Sequence, residues 1–276
     1  MIISPFTPLF FPDVKVDGID SRYIQTFAST DEILVEVIGL ASEGTPTASI
    51  ICEPSQDVLC RIQFSQWNIN ANDRLFFATL NLSPGLYSVQ IGDKRSTIFR
   101  ITDNAAVLEK TTLIQYSMAN NRQRKDAIFF IDGMQRFFDF RVPGGFKDSN
   151  WSFGVESEQF TTAEADIVQL YGLESTQKKF TLGLSDGCPI WFGELLNRLL
   201  TCTYVYFDGQ RYARKDAAVP EITSLLDGLN SFVFSIQVQK VANIDPTLTM
   251  QHQAILRRVI DENYRLVTEN INRLIK

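Results

Sequence analysis

The sequence predicts a mainly β fold with minor α: an Ig-like β-sandwich, then a mixed β domain with one packed helix, then a C-terminal amphipathic helix. Three observations carry this reading. Short apolar runs separated by turn residues recur at regular intervals between Asp31 and Asp103, the pattern of an antiparallel sandwich. Further on, QRFFDFR (135–141) and SFVFSIQVQKV (231–241) alternate apolar and polar residues, which is the period of a strand with one buried face. Only two segments, 189–200 and 246–276, repeat their apolar residues at helical spacing.

The chain divides into an extended arm (1–27), the sandwich (28–104), a β-rich domain (105–245) and the terminal helix (246–276). The opening MIISPFTPLFFPDVKVDG is apolar but interrupted by Pro5, Pro8 and Pro12. It lacks a basic stretch and a small-residue cleavage site, so it reads as an arm and not as a secretory leader. Its Phe10 and Phe11 are candidate subunit contacts. Within the sandwich the runs are 33–40, 48–52, 60–67, 75–82, 86–91 and 97–101. Tyr87, Val89 and Ile91 share one face of their strand, and Ser83-Pro84-Gly85 and Gly92-Asp93 have the chemistry of tight turns. The immunoglobulin signature of two cysteines around a tryptophan is absent, so the likeness is architectural.

In the β-rich domain strands are expected at 111–116, 126–131, 135–141 and 178–184. The intervening 142–178 is rich in Gly, Ser and Glu and weakly periodic, and reads as a long loop excursion of functional character. Pro189 opens a helix over 189–200, with Asp186 or the nearby turn as its cap and Trp191, Leu195, Leu196, Leu199 and Leu200 on one face. Asp208-Gly209 between two aromatic runs marks a hairpin. In the last segment Leu256, Ile260, Tyr264, Val267, Ile271 and Leu274 form a stripe. The helix either folds back onto its own domain or docks in a groove or bundle on a neighbour, and on the second reading these six join Phe10 and Phe11 as candidate subunit contacts.

Composition then removes most chemistries. Against 21 Phe, 8 Tyr and 3 Trp there is one histidine, His252, so His-based metal centres are excluded. His252 lies in TMQHQ among polar neighbours and reads as a solvated helix residue and not as a general base. The four cysteines, Cys52, Cys60, Cys188 and Cys202, include no C-x-x-C pair. Cys52 and Cys60 are close enough in sequence to share a hairpin, but buried free thiols are the expectation. Phosphate-binding loops and a G-x-S-x-G elbow are missing. Glu156, Glu158, Glu164 and Asp166 supply carboxylates of the kind glycosidases pair, but acids in a loop are ordinarily solvated. The knot Asn121-Arg122-Gln123-Arg124-Lys125 reads as a hairpin tip. Catalytic, cofactor-binding and metal-binding residues are therefore all expected to be none, and the protein not an enzyme. Net charge is −6 and no basic face for duplex binding is visible. No apolar run reaches the 18 or so residues of a membrane span.

A resemblance covers about half of the chain. IQYSMANNRQRKDAIFF (114–130), FDFRVPGGFKDSNW (138–151), FTLGLSDGCPIWFGELLNRLLTCTYVYFDGQRYAR (180–214) and FVFSIQVQKV (232–241) resemble a family of structural proteins. That family is encoded among the tail and neck genes of tailed phages and prophages of Bacteroidales hosts. The resemblance implies a virion component that assembles as a ring or tube in the neck (the head–tail connector), tail or baseplate, inside the bacterial host cytoplasm. Its implied partners are copies of itself and other virion proteins, with DNA passing through without specific contact. No membrane, cofactor or small-molecule substrate is implied. The sandwich is similar to the decorating modules of such proteins. The alternative from the residues themselves is a non-catalytic sandwich module that binds a carbohydrate or a protein.

Overall fold

The computed structural model describes residues 1–12, 23–121, 124, 126–131, 133–163, 165–183, 185, 187–215, 219–225 and 230–241. The expected helix over 246–276, with Leu256, Ile260, Tyr264, Val267, Ile271, Leu274 and His252, lies outside the described residues. The described chain is mainly β with minor α, as its patterning requires. Residues 1–152 with 177–240 form one compact unit, and 153–176 falls in a second.

The first ten strands are β1 (Ile2–Ile3), β2 (Gln25–Phe27), β3 (Ile33–Leu40), β4 (Ala48–Glu53), β5 (Val58–Arg61), β6 (Ser65–Asn68), β7 (Asp73–Leu80), β8 (Gly85–Ile91), β9 (Lys94–Arg95) and β10 (Phe99–Ile101). They make two sheets, β1-β3-β7-β6 and β2-β10-β8-β4-β5, with β9 beside β8. This is the immunoglobulin strand arrangement. One apolar core joins the sheets, with Ile33, Val35, Val37 and Phe76 from the first and Ile50, Val89, Ile91 and Phe99 from the second. Tyr87 donates its hydroxyl to the Ser83 carbonyl at 3.0 Å, the tie at a strand corner that immunoglobulin-type sandwiches use. The arm belongs to this sandwich. β1 pairs antiparallel with β3, and β2 pairs parallel with β10. The apolar run 60–67 is two strands, because β5 and β6 belong to different sheets.

After the short helix α1 (Ala105–Leu108) come β11 (Thr111–Ser117), β12 (Phe130–Ile131), β13 (Met134–Gln135), β14 (Phe138–Thr161), β15 (Ile167–Leu182), helix α2 (Ile190–Leu199), β16 (Tyr204–Phe207), β17 (Gln210–Arg214), β18 (Glu221–Ser224) and β19 (Phe232–Lys240). The order β15-β14-β11-β16-β17-β19 closes on itself because β15 also pairs with β19. Within the barrel, closure leaves those six strands no free edge among the described residues, and β18 adds outside β19. Inward residues are large and apolar: Ile114, Tyr116, Phe138, Phe140, Phe180, Phe207, Phe234 and Val238. The buried face of α2 (Trp191, Phe192, Leu195, Leu196, Leu199) joins that cluster. Gly193 sits where a Cβ would come within 2.4 Å of the Phe234 ring, so glycine sets how closely the helix approaches. Pro189 occupies the N-cap position with no side-chain cap of its own. Asn230 Oδ1 instead accepts the Ile190 N–H at 3.0 Å; the Asp186 cap expected from sequence lies outside the described residues.

Sandwich and barrel share strand β3. Its Ile33, Val35 and Val37 enter the sandwich core, while Leu34 joins the barrel cluster together with Phe6 of the arm. A strand buried on both faces reads as a continuous apolar run, and ILVEVIGL does. The joint is further fixed by Arg141, which donates from Nε and Nη2 to Asp31 at 2.7 and 2.8 Å. Glu32 N–H donates to Asp139 Oδ2 at 2.9 Å.

Candidate assembly surface

Segment 142–178, expected as a loop, is the largest departure from the sequence reading. β14 runs unbroken from Phe138 to Thr161 and β15 returns from Ile167. Beyond Pro143, its last residue paired to β11, β14 is paired only to β15 among the described residues. A tight turn closes the hairpin. Thr162 N–H donates to Asp166 O at 2.8 Å, Ala165 N–H to Thr162 O at 3.0 Å, and Ala165 takes a positive φ of 64°. The helical or two-period signal fails in this segment because its described side chains are mostly exposed, so no buried face selects a single residue class.

Successive side chains of a strand point to opposite faces, so Trp151, Phe153 and Val155 line one face of β14. Phe153 is 74% exposed, Val155 68%, and Ile167 and Leu170 on β15 are 63% and 58% exposed. An exposed apolar stripe of this kind is a candidate interaction surface. Segment 153–176 also carries Glu156, Glu158, Glu164, Asp166 and Glu174 and no Lys or Arg, so a partner surface would meet apolar side chains in an acidic field. At the inner end of the stripe the Lys178 ammonium lies 3.6 Å from the Trp151 ring centroid. A second exposed apolar group, Val219, Ile222 and Leu225, lies on and beside the edge strand β18.

The residues singled out from sequence distribute as follows. Phe10 stacks on Trp191 with ring centroids 5.3 Å apart and 5° between planes. Phe11 packs against the sandwich core. Both rings are thus half-buried within their own chain. Glu158 and Asp166 are exposed, Glu156 lies within β14, and Glu164 is outside the described residues. In the basic knot, Asn121 organises the backbone, its Oδ1 accepting from Phe129 and Phe130 N–H at 2.8 Å each. Arg124 pairs with Asp126 at 2.7 Å and caps the Phe6 ring at 4.6 Å. All four cysteines are free. Burial pushes the thiols of Cys188 and Cys202 up to about 12, so they are inert. Cys60 departs from the expected buried thiol, because it is exposed on β5.

Among the described residues no group of three or more His, Cys, Asp or Glu could hold a metal ion. No described helix is long and apolar enough to cross a membrane. Compared with known proteins, the chain matches no family model, no curated protein and no solved structure.

Proposed function

We propose that this chain is a structural subunit of a tailed-phage virion, a ring-forming component of the neck, tail or baseplate that works by assembly and not by catalysis. The resemblance of 111–241 suggests the class. The observation that carries self-assembly is the hairpin over 153–176, whose apolar residues stand exposed. A two-stranded hairpin needs a packed face to be stable in water, and a neighbouring copy would supply one. Contacts between unlike patches of identical copies close into rings when their rotation closes. The other partners are further virion proteins, the site of action is the assembled particle, and no substrate or cofactor is required.

Light scattering coupled to size-exclusion chromatography tests the self-association. The full chain should grow in mass with concentration, and F153S/V155S should elute as a monomer that melts at the wild-type temperature. A wild-type monomer at every concentration removes self-assembly from the reading. Mass spectrometry of purified virions tests the rest: absence of the chain from the particles would sink it.

A further inference from the structure

β3 places one carboxylate, Glu36, in the joint between arm, sandwich and barrel, where it is fully buried. Its two oxygens have different partners. Oε1 accepts the Ile128 N–H at 3.1 Å. Oε2 lies 3.1 Å from the Ser4 hydroxyl oxygen, which is also 2.5 Å from the Asp126 carbonyl oxygen. The same hydroxyl oxygen accepts the Phe6 N–H at 3.2 Å. A serine hydroxyl has one proton and two lone pairs. The Asp126 carbonyl can only accept, so the Ser4 proton belongs to that short contact. The remaining contact, from Ser4 to Glu36 Oε2, then needs a proton supplied by Glu36.

We propose that Glu36 is held as the neutral acid, and that its proton latches the N-terminal arm to the 126–128 segment of the barrel. With that proton in place every group is satisfied: Glu36 donates to Ser4, Ser4 donates to Asp126 O, and Ile128 N–H reaches the other oxygen. Without it, either the Asp126 carbonyl or a buried carboxylate oxygen loses its donor, and a buried polar group without a partner is costly. Beyond the Ile128 N–H and the Ser4 hydroxyl, the described residues bring no cation to favour the anion. Arg124 is committed to the Asp126 carboxylate. Arg198 donates to Pro5 O at 2.8 Å, and the Tyr116 hydroxyl donates to Phe6 O at 2.7 Å. The facing strand β7 presents Phe77 opposite Glu36. Burial accordingly raises the Glu36 carboxyl to about 8 from its usual 4.5, with the Ile128 and Ser4 hydrogen bonds opposing in part and the Asp126 charge adding to the rise.

The sign of the pH dependence follows. The folded chain holds the proton between the unfolded and folded values, so this contribution is complete below about 4.5 and is lost as pH rises through about 8. Glu36→Gln copies the neutral acid, with an amide N–H for Ser4 and a carbonyl oxygen for Ile128. E36Q should match wild type at pH 5 and melt above it at pH 8, by roughly 5 °C. Amide protection factors over residues 4–7 should fall at least tenfold in wild type between pH 6.5 and 9 and stay level in E36Q. An E36Q less stable than wild type at both pH values, or a pH slope shared by both proteins, overturns the proposal. Should E36Q fail to fold, wild type labelled at glutamate Cδ decides it by NMR: one carboxyl must titrate near 8, and titration of every glutamate below 6 refutes the latch.

Discussion

Strands β14 and β15 each have two halves with opposite fates. In the barrel half, Phe138, Phe140, Phe180 and Leu182 are buried in the core. In the other half, Phe153, Val155, Ile167 and Leu170 are exposed. The backbone conformation is the same, and the residue classes are similar. What differs is whether a second layer covers them among the described residues. Where it does, the aromatic residues stabilise a fold; where it does not, the proposed assembly would use them. The contrast separates stability from assembly, and mutations in the two halves should separate them too.

The largest expected effect lies in the barrel half. Phe180 is fully buried, with its ring 4.8 Å from Phe207 and 5.2 Å from Phe146. Phe180→Ala should destabilise by about 3–5 kcal/mol, read as a lower denaturant midpoint at unchanged slope. F153S/V155S, of comparable chemistry on the other half, should change stability by no more than about 0.5 kcal/mol while removing self-association. If the two variants lost stability equally, the division between the halves would be wrong.

Next comes the joint that holds the barrel half to the sandwich. The Asp31 carboxylate also accepts the Ala28 N–H at 2.8 Å, and its side chain is 1% exposed against 11% for Arg141. Asp31→Ala would strand the guanidinium and should cost about 3 kcal/mol. D31A/R141M, which removes both charges, should recover most of that loss. A double variant no better than the single one would mean that the tie to Ala28, and not the ion pair, holds the joint.

The difference between the halves also explains which parts of the fold were legible. Where one strand face meets a core, the sequence alternates and can be read, as in Tyr87, Val89 and Ile91 or Phe234, Ile236 and Val238. The hairpin lacked that signal because its described side chains are mostly exposed, and Gly154 and Gly172 interrupt its alternation. The stripe Trp151, Phe153, Val155 was its one visible trace. Glu36 carried a trace as well: a lone acid between Val35 and Val37 in a run too continuous for a one-sided strand. What it bonds to could not be read, because Ser4 and the 126–128 segment are brought to it only by tertiary packing. The Asn230 cap of α2 was hidden for the same reason. The eight contact residues chosen from sequence met a different limit: Phe10 and Phe11 have partners in their own chain, and the other six lie in the tail beyond the described residues.

The smallest effect is expected at the inner end of the stripe. Lys178 lies over Trp151 at 3.6 Å and also approaches the rings of Phe146 and Tyr212 at 5.3 and 5.9 Å. Lys178→Met keeps the apolar stem and removes the charge, so it tests the cation–π attraction together with whatever else the ammonium contacts. Trp151 is 44% exposed, and at such a site the attraction amounts to about 0.5–1 kcal/mol. The informative readout is assembly. If the ammonium merely packs the base of the hairpin, self-association of K178M should follow its small stability loss. A K178M chain of wild-type stability that no longer associates would instead extend the assembly surface inward to Trp151, and the boundary between the two halves would move with it.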